Sequence, residues 1–116
     1  MKYAIIAGLL FFATPSLAGS SHNYPDYITA KAWLQECQQK TRTCYGFVQG
    51  VIETAKAFSG PNTSSPVCLP EDLQATVVAE YVLDVIQAPG NAGMQETPFT
   101  HLILDALSSS YPCQPL

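Results

Sequence analysis

Residues 43–58 read TCYGFVQGVIETAKAF and carry the clearest pattern in the chain. Their apolar side chains recur every three or four residues, which is the spacing of one helix face. This apolar stripe consists of Cys44, Phe47, Val48, Val51, Ile52, Ala55 and Phe58. The charged residues Glu53 and Lys56 lie off the stripe. The pattern predicts an amphipathic helix that is capped by the Thr43 hydroxyl and ended by the SGP sequence at 59–61.

Gly46 and Gly50 lie four residues apart within this predicted helix. Each glycine costs a helix about 1 kcal/mol relative to alanine. Two glycines on one face therefore favour the close approach of another backbone to that face. Tolerated glycines on an exposed surface are the alternative.

Three more segments show helical spacing. A first helix is predicted from Thr29, a suitable N-cap, and a third from the CLPED segment at 68–72, whose proline and acidic residues suit a first turn. A fourth is predicted to start at the Thr97–Pro98 pair and to end at the YP pair at 111–112. Their apolar stripes are Ala30, Trp33, Leu34 and Cys37; Leu73, Val77, Val78, Tyr81, Val82 and Val85; and Phe99, Leu102, Ile103, Ala106 and Leu107. The sequence therefore predicts an all-α domain of four helices.

Each of the four cysteines, Cys37, Cys44, Cys68 and Cys113, lies near a predicted helix boundary. An even number of cysteines in a small exported chain predicts disulfides, because oxidising compartments form and keep them. Short loops make neighbouring helices antiparallel, so Cys113 should return to the end of the bundle where Cys68 lies. Cys37 and Cys44 should meet at the other end. Of the three possible pairings, the antiparallel arrangement favours Cys37–Cys44 with Cys68–Cys113, and a Cys44–Cys68 bond is the main alternative.

The N-terminus has the features of an export signal. Lys2 is followed by a nearly unbroken apolar run over residues 3–12 and by small residues that end at Ala18. This run is shorter than the roughly 20 residues that cross a bilayer, so a signal peptide is favoured over a membrane anchor. We expect a signal peptide (1–18), a flexible leader (19–27) and a helical domain (28–116). The expected location is the periplasm, with no membrane contact after cleavage.

The charge of the chain disfavours nucleic acid as a partner. The sequence holds five basic and nine acidic residues, which give a formal net charge of −4. Nucleic-acid-binding proteins usually carry a cluster of basic residues interleaved with aromatic ones, and this sequence has no such cluster. An acidic surface suits a basic protein partner, and it equally suits ordinary solubility.

Groups able to catalyse a reaction are sparse. His22 falls in the predicted leader, and His101 lies four residues before Asp105 on the fourth helix, where a solvated role is the simpler interpretation. Cysteines in disulfides offer no nucleophile, and their spacing is not that of a zinc site. There is also no glycine-rich phosphate loop. The sequence predicts no enzyme, no cofactor and no metal site, and therefore a binding function.

A binding function directs attention to the two longer loops, residues 60–67 and 89–96. Loops on a rigid scaffold often carry recognition, and Met94 in the second loop is expected to be exposed. Trp33 is a further candidate anchor, although its place on an apolar stripe favours the core. The predicted partner-binding residues are Asn62, Thr63, Asn91, Met94 and Glu96.

Several short motifs, taken in order, resemble the Rap1a/Tai immunity proteins. The segment CYGFVQGV at 44–51 is similar to the family's C-x-x-(Y/F)-(I/V)-x-G-(V/I) helix, and CLP at 68–70 is similar to its turn motif. The AL pair at 106–107 and YPC at 111–113 resemble its closing motif, and Cys37 matches its extra cysteine. The resemblance covers roughly residues 33–113.

This resemblance implies a periplasmic, helical, disulfide-bonded protein that is often homodimeric. It also implies a role in type VI secretion. Such proteins protect a bacterium by binding a peptidoglycan-cleaving amidase injected by sibling cells, and they occlude its active site. The expected partners are a cognate amidase toxin and a second copy of the chain.

Two other classes of exported helical protein are alternatives. An acid-stress chaperone of the HdeA type would be expected to have one disulfide and lysine-rich ends, whereas this chain ends in QPL. A small ligand-binding helical module of the saposin or lipid-transfer sort would be expected to have more than four cysteines. The immunity family fits the sequence better than either.

Overall fold

The computed structural model describes residues 25–64 and 66–114. The predicted signal peptide, its cleavage site after Ala18 and most of the predicted leader lie outside these residues. The end of that leader enters a 3₁₀ turn at Asp26–Ile28. The indole N–H of Trp33 donates a hydrogen bond to the Tyr27 carbonyl oxygen (3.1 Å), which holds this turn against the first helix.

Four α-helices make up most of the described chain, and no strand occurs within it. They are α1 (Ala30–Gln38), α2 (Arg42–Phe58), α3 (Ala75–Gln87) and α4 (Phe99–Ser110), and a 3₁₀ helix (Ala92–Glu96) lies between α3 and α4. α3 packs against each of the other three α-helices. The predicted all-α fold of four helices is confirmed. Among the described helices, none is both long enough and apolar enough to cross a bilayer.

The core lies where the apolar faces of the four helices meet. Its largest fully buried side chains are Phe99, Ile52, Ile86, Ile103, Leu107, Val48 and Val82. Trp33 lies half-buried at the edge of the core, with its ring centroid 4.3 Å from that of Phe47 and 5.9 Å from that of Phe99. The expected packing of Trp33 against the core is confirmed.

Both disulfides join parts of the chain that lie close to or just outside the ends of helices. Cys37–Cys44 links the end of α1 to the start of α2 with a Cα–Cα distance of 5.1 Å. Cys68–Cys113 links the segment before α3 to the segment after α4 with a Cα–Cα distance of 4.9 Å. These two segments also pair through their backbones, since the Cys68 N–H donates to the Tyr111 carbonyl oxygen (2.9 Å). The favoured pairing is confirmed, and the Cys44–Cys68 alternative is wrong.

The N-cap of α2 differs from the prediction. Thr41, and not Thr43, caps the helix: its hydroxyl oxygen accepts a hydrogen bond from the Cys44 N–H (3.1 Å). The same hydroxyl donates to a carboxylate oxygen of Glu36 in α1 (2.7 Å). The cap therefore also ties the two helices together beside their disulfide. Lys40, with a φ of 55°, makes the tight turn that places Thr41 there.

Two other helix starts are later than predicted. α3 begins at Ala75 because the preceding residues form a turn in which the Leu73 N–H donates to the Pro70 carbonyl oxygen (3.3 Å). A proline and two acidic residues suit a turn as well as they suit the first turn of a helix. α4 begins at Phe99, one residue later than predicted, with Pro98 in the N-cap position.

Three large apolar side chains assigned to helix stripes lie outside the core. Phe58 is 77% exposed at the end of α2, and Val77 and Tyr81 of α3 are 55% and 48% exposed. The residues that α3 buries are Ala75, Val78, Ala79, Val82 and Ile86. The apolar part of each helix is wider than the part that its neighbours cover, so apolar surface remains open on both helices.

Candidate functional site

The described residues hold no assembled metal site. His101 and Asp105 are both exposed on α4, and His22 lies outside the described residues. No three His, Cys, Asp or Glu side chains in the described ranges are placed to hold a metal ion. The four cysteines are all in disulfides. What the domain presents to a partner is its surface.

The two loops predicted to bind a partner lie at opposite ends of α3. Asn62 and Thr63 are exposed in the loop that leads into α3, whereas Asn91, Met94 and Glu96 follow its end. α3 has 13 residues, so at 1.5 Å per residue the helix between these loops is about 20 Å long. The structure therefore brings the last three residues into one region and leaves the first two at the other end of the helix.

Asn91 and Met94 contribute to the scaffold of the second loop. The side-chain amide of Asn91 donates to the Val85 carbonyl oxygen in the last turns of α3 (2.9 Å). Met94 is half-buried and packs against the core, so the expectation that it is exposed is wrong. It lines a small cavity of about 130 Å³ together with Tyr81 of α3 and Ala106 of α4.

An open groove of about 580 Å³ runs between α2 and α4. We call it the α2–α4 groove. Its lining includes Gly46, Gly50, Thr54 and Phe58 of α2 and Thr100 and Leu104 of α4. None of the residues that line it is charged. The groove is therefore an uncharged surface with exposed apolar side chains at its border.

The two glycines of α2 face this open space. A methyl group placed on Gly46 or Gly50 would meet no atom within 4 Å beyond its own helix. The close approach that the glycines predicted is therefore not made by any described part of this chain. One turn further along, the Thr54 hydroxyl donates to the Gly50 carbonyl oxygen (2.8 Å), so its donor is satisfied within α2.

A second apolar surface lies on the α3 side of α4. Val77 and Tyr81 stand exposed on α3, and two small cavities between α3 and α4 share Tyr81 and Ala106. The cavity that lies nearer the second loop also includes Met94. We call Val77, Tyr81 and Met94 the α3 surface. It places an aromatic side chain between the two predicted binding loops.

Neither surface was predicted from the sequence. The groove joins residues of α2 to residues of α4, which are far apart in the chain, and periodicity within one helix carries no information on such a pairing. One signal was available: Gly46, Gly50, Thr54 and Phe58 recur at intervals of four, which places them in one row along α2. Three small residues followed by a large one are unusual in a row that faces a core.

Comparison with protein families gives a match that covers nearly the whole described domain. A family model described as Rap1a immunity proteins matches residues 29–113. The match begins at the N-cap of α1 and ends at Cys113, so it contains all four α-helices and both disulfides. No curated protein and no solved structure matches the chain significantly.

Proposed function

The chain belongs to the Rap1a immunity protein family, and we propose that it protects the bacterium that makes it by binding a peptidoglycan amidase and occluding its active site. Membership of this family implies a type VI secretion immunity protein that binds a cognate effector toxin. The family match over residues 29–113 is the observation that carries the proposal. The motifs at 44–51 and 111–113 support the amidase as the class of toxin through their resemblance to the Rap1a/Tai proteins.

The proposed action is stoichiometric binding in the periplasm, without turnover. Proteins of this family are generally non-enzymatic and typically periplasmic. An amidase injected by a neighbouring cell attacks peptidoglycan, so its inhibitor must act in the same compartment. We therefore propose export by a signal peptide (1–18), cleavage after Ala18, a leader (19–27) and an immunity domain (28–116).

The proposed toxin-binding region is the α3 surface with the loops at the two ends of α3. A standard protein interface buries about 800 Å² on each partner, which corresponds to a patch roughly 30 Å across. α3 is about 20 Å long, so a patch of this size covers the helix and extends to the loops beyond its two ends. Tyrosine is enriched among the residues that dominate binding energy. The proposed contact residues are Tyr81 and the loop residues Asn62, Thr63, Asn91, Met94 and Glu96.

We also propose that the chain forms a homodimer. The resemblance to the Rap1a/Tai proteins supports this assembly, and the structure offers two separate apolar surfaces on different sides of α4. One of them is then available to the toxin and the other to a second copy.

The experiment that tests the proposed function is a titration of residues 19–116 against the products of the neighbouring genes, with peptidoglycan hydrolysis as the readout. We expect activity to fall linearly and to reach zero at one chain per amidase. Full hydrolysis in the presence of excess protein would contradict the proposal. The chaperone alternative predicts a different result, in which the protein suppresses the aggregation of unrelated proteins at strongly acidic pH.

A further inference from the structure

We propose that the α2–α4 groove is the surface through which two copies of this chain associate, with their α2 helices antiparallel about a twofold axis. This inference rests on the homodimer of the proposed function, and it adds the surface, the orientation and the register. It starts from the row formed by Gly46, Gly50, Thr54 and Phe58, which lie four residues apart along α2 and line the same groove.

The row is complementary to itself when it is reversed. A twofold axis that crosses α2 level with Ile52 places Gly46 opposite Phe58 of the second copy, and Gly50 opposite its Thr54. In a twofold interface each contact occurs twice with the roles exchanged. Each copy therefore provides both a projecting aromatic ring and the space that receives one. That space is real, because a methyl group on either glycine would meet no atom within 4 Å outside its own helix.

The length of the row suits a helix pair. Gly46 and Phe58 lie about 18 Å apart along the helix axis, which is a little over three turns. Small residues at a helix crossing allow the two axes to approach closely. Phe58 is 77% exposed, so it projects beyond the surface of its own copy. Leu104 of α4, 39% exposed, adds an apolar wall beside the row.

Thr54, the one polar residue of the row, tolerates being covered. Charged residues are depleted at the centre of protein interfaces, and aromatic residues are enriched there. No residue that lines the groove is charged, and the Glu53–Lys56 ion pair (3.8 Å) is formed by α2 residues outside the lining. The Thr54 hydroxyl already donates to the Gly50 carbonyl oxygen. Covering the row therefore leaves that donor with its partner.

Other occupants explain fewer of these features. A small apolar ligand is normally enclosed over most of its surface, whereas this groove is open along its length. A segment of the toxin requires an apolar groove, but it does not require the ring and the space that receives it to lie on one helix at matched positions. Only a second copy of the chain makes use of both.

The test is the dissociation constant of the dimer, measured by sedimentation of residues 19–116. Phe58→Ala removes the ring and Gly46→Phe fills the space, and we expect each change to raise the dissociation constant about tenfold or more. In the double variant Gly46→Phe/Phe58→Ala the aromatic ring lies at position 46 and the space at position 58. Each copy therefore again provides one ring and one space that receives the ring of the other copy. We expect the double variant to regain most of the lost affinity, which independent effects of the two changes would not produce.

Val77→Asp is the matched control, because it alters an exposed apolar residue on the α3 surface and should leave the dimer intact. Circular dichroism and thermal unfolding check that each variant folds, as expected for changes at exposed positions. A monomeric wild-type chain, a dimer that the groove variants leave unchanged, or a dimer that only Val77→Asp dissociates would each overturn the inference. The amidase titration is a separate measurement, so a groove dimer that inhibits no amidase would contradict the proposed function alone.

Discussion

The ring of Trp33 lies 4.3 Å from the ring of Phe47, measured between centroids, and Phe47 lines the α2–α4 groove. Trp33 is the only tryptophan in the chain. Its emission depends on the water and the side chains around the indole. The fluorescence of the protein therefore reports on whether the groove is covered.

We expect the emission of Trp33 to move to longer wavelength when the protein is diluted below the dissociation constant of the dimer. Separation of the two copies admits water to Phe47 and to the indole that packs on it. Emission spectra recorded over a dilution series, with sedimentation in parallel, measure this. The Gly46→Phe variant should show the same change in emission at protein concentrations about tenfold higher or more, in step with its raised dissociation constant. A spectrum that stays constant while sedimentation shows dissociation would contradict the groove as the interface.

Thr41→Ala should lower the free energy of unfolding by about 1 kcal/mol, since it removes the N-cap of α2. The change also takes a hydrogen-bond donor from Glu36. Thr43→Ala is the control, because Thr43 is exposed in the first turn of α2 and alanine favours a helix. Urea unfolding of both variants makes the comparison. Equal losses of stability would contradict the assignment of the cap.

The positions of the helices were predictable because their signals are local. Apolar spacing, capping residues and prolines act within a few residues. The cysteines lie in or near the connections between helices, and the antiparallel arrangement determines which of them meet. The choice between Thr41 and Thr43 was not predictable in this way. It depends on the path of the tight turn at Lys40, and both threonines suit an N-cap.

The candidate sites were less predictable because exposure depends on neighbouring helices. Phe58 and Tyr81 belong to apolar stripes, and the sequence does not show how much of each stripe the adjacent helices cover. The predicted loops were located correctly in the chain, but periodicity gave no sign that they lie towards opposite ends of α3. The α2–α4 groove was not predictable, because only the fold brings Leu104 of α4 and Gly50 of α2 to the same surface.

A mild reductant should open Cys68–Cys113 before Cys37–Cys44 in the native protein. Thiol–disulfide exchange requires access to a sulfur atom. Cys68 is exposed, whereas Cys37 and Cys44 are 1% and 0% exposed. Alkylation of the freed thiols followed by peptide mass mapping over time measures the order. Equal labelling of all four cysteines at early times would contradict the burial of the first disulfide.

Loss of Cys68–Cys113 should also destabilise the protein more than loss of Cys37–Cys44, because the longer cross-link restricts the unfolded chain more. It closes a sequence separation of 45 residues, against 7 for Cys37–Cys44. Loop-closure entropy gives about 4 kcal/mol for the longer loop and about 2 kcal/mol for the shorter one. We expect the partly reduced protein to unfold at a clearly lower urea concentration than the oxidised protein, with alkylated and unalkylated samples compared. An unchanged urea midpoint would show that the Cys68–Cys113 cross-link adds little to the free energy of unfolding.

Tyr81→Ala should weaken inhibition of the amidase about thirtyfold, which corresponds to about 2 kcal/mol for a central aromatic contact. The side chain is 48% exposed on α3 and lies between the two loops, so its removal should take away interface area and leave most of the core intact. Inhibition curves at fixed amidase concentration measure the effect. Glu53→Gln, on an exposed part of α2 outside both apolar surfaces, is the control and should inhibit as the unaltered protein does. Because Tyr81 lies outside the α2–α4 groove, the variant should still sediment as a dimer. Full inhibition by Tyr81→Ala would exclude the α3 surface as the toxin-binding region and would leave the family assignment in place.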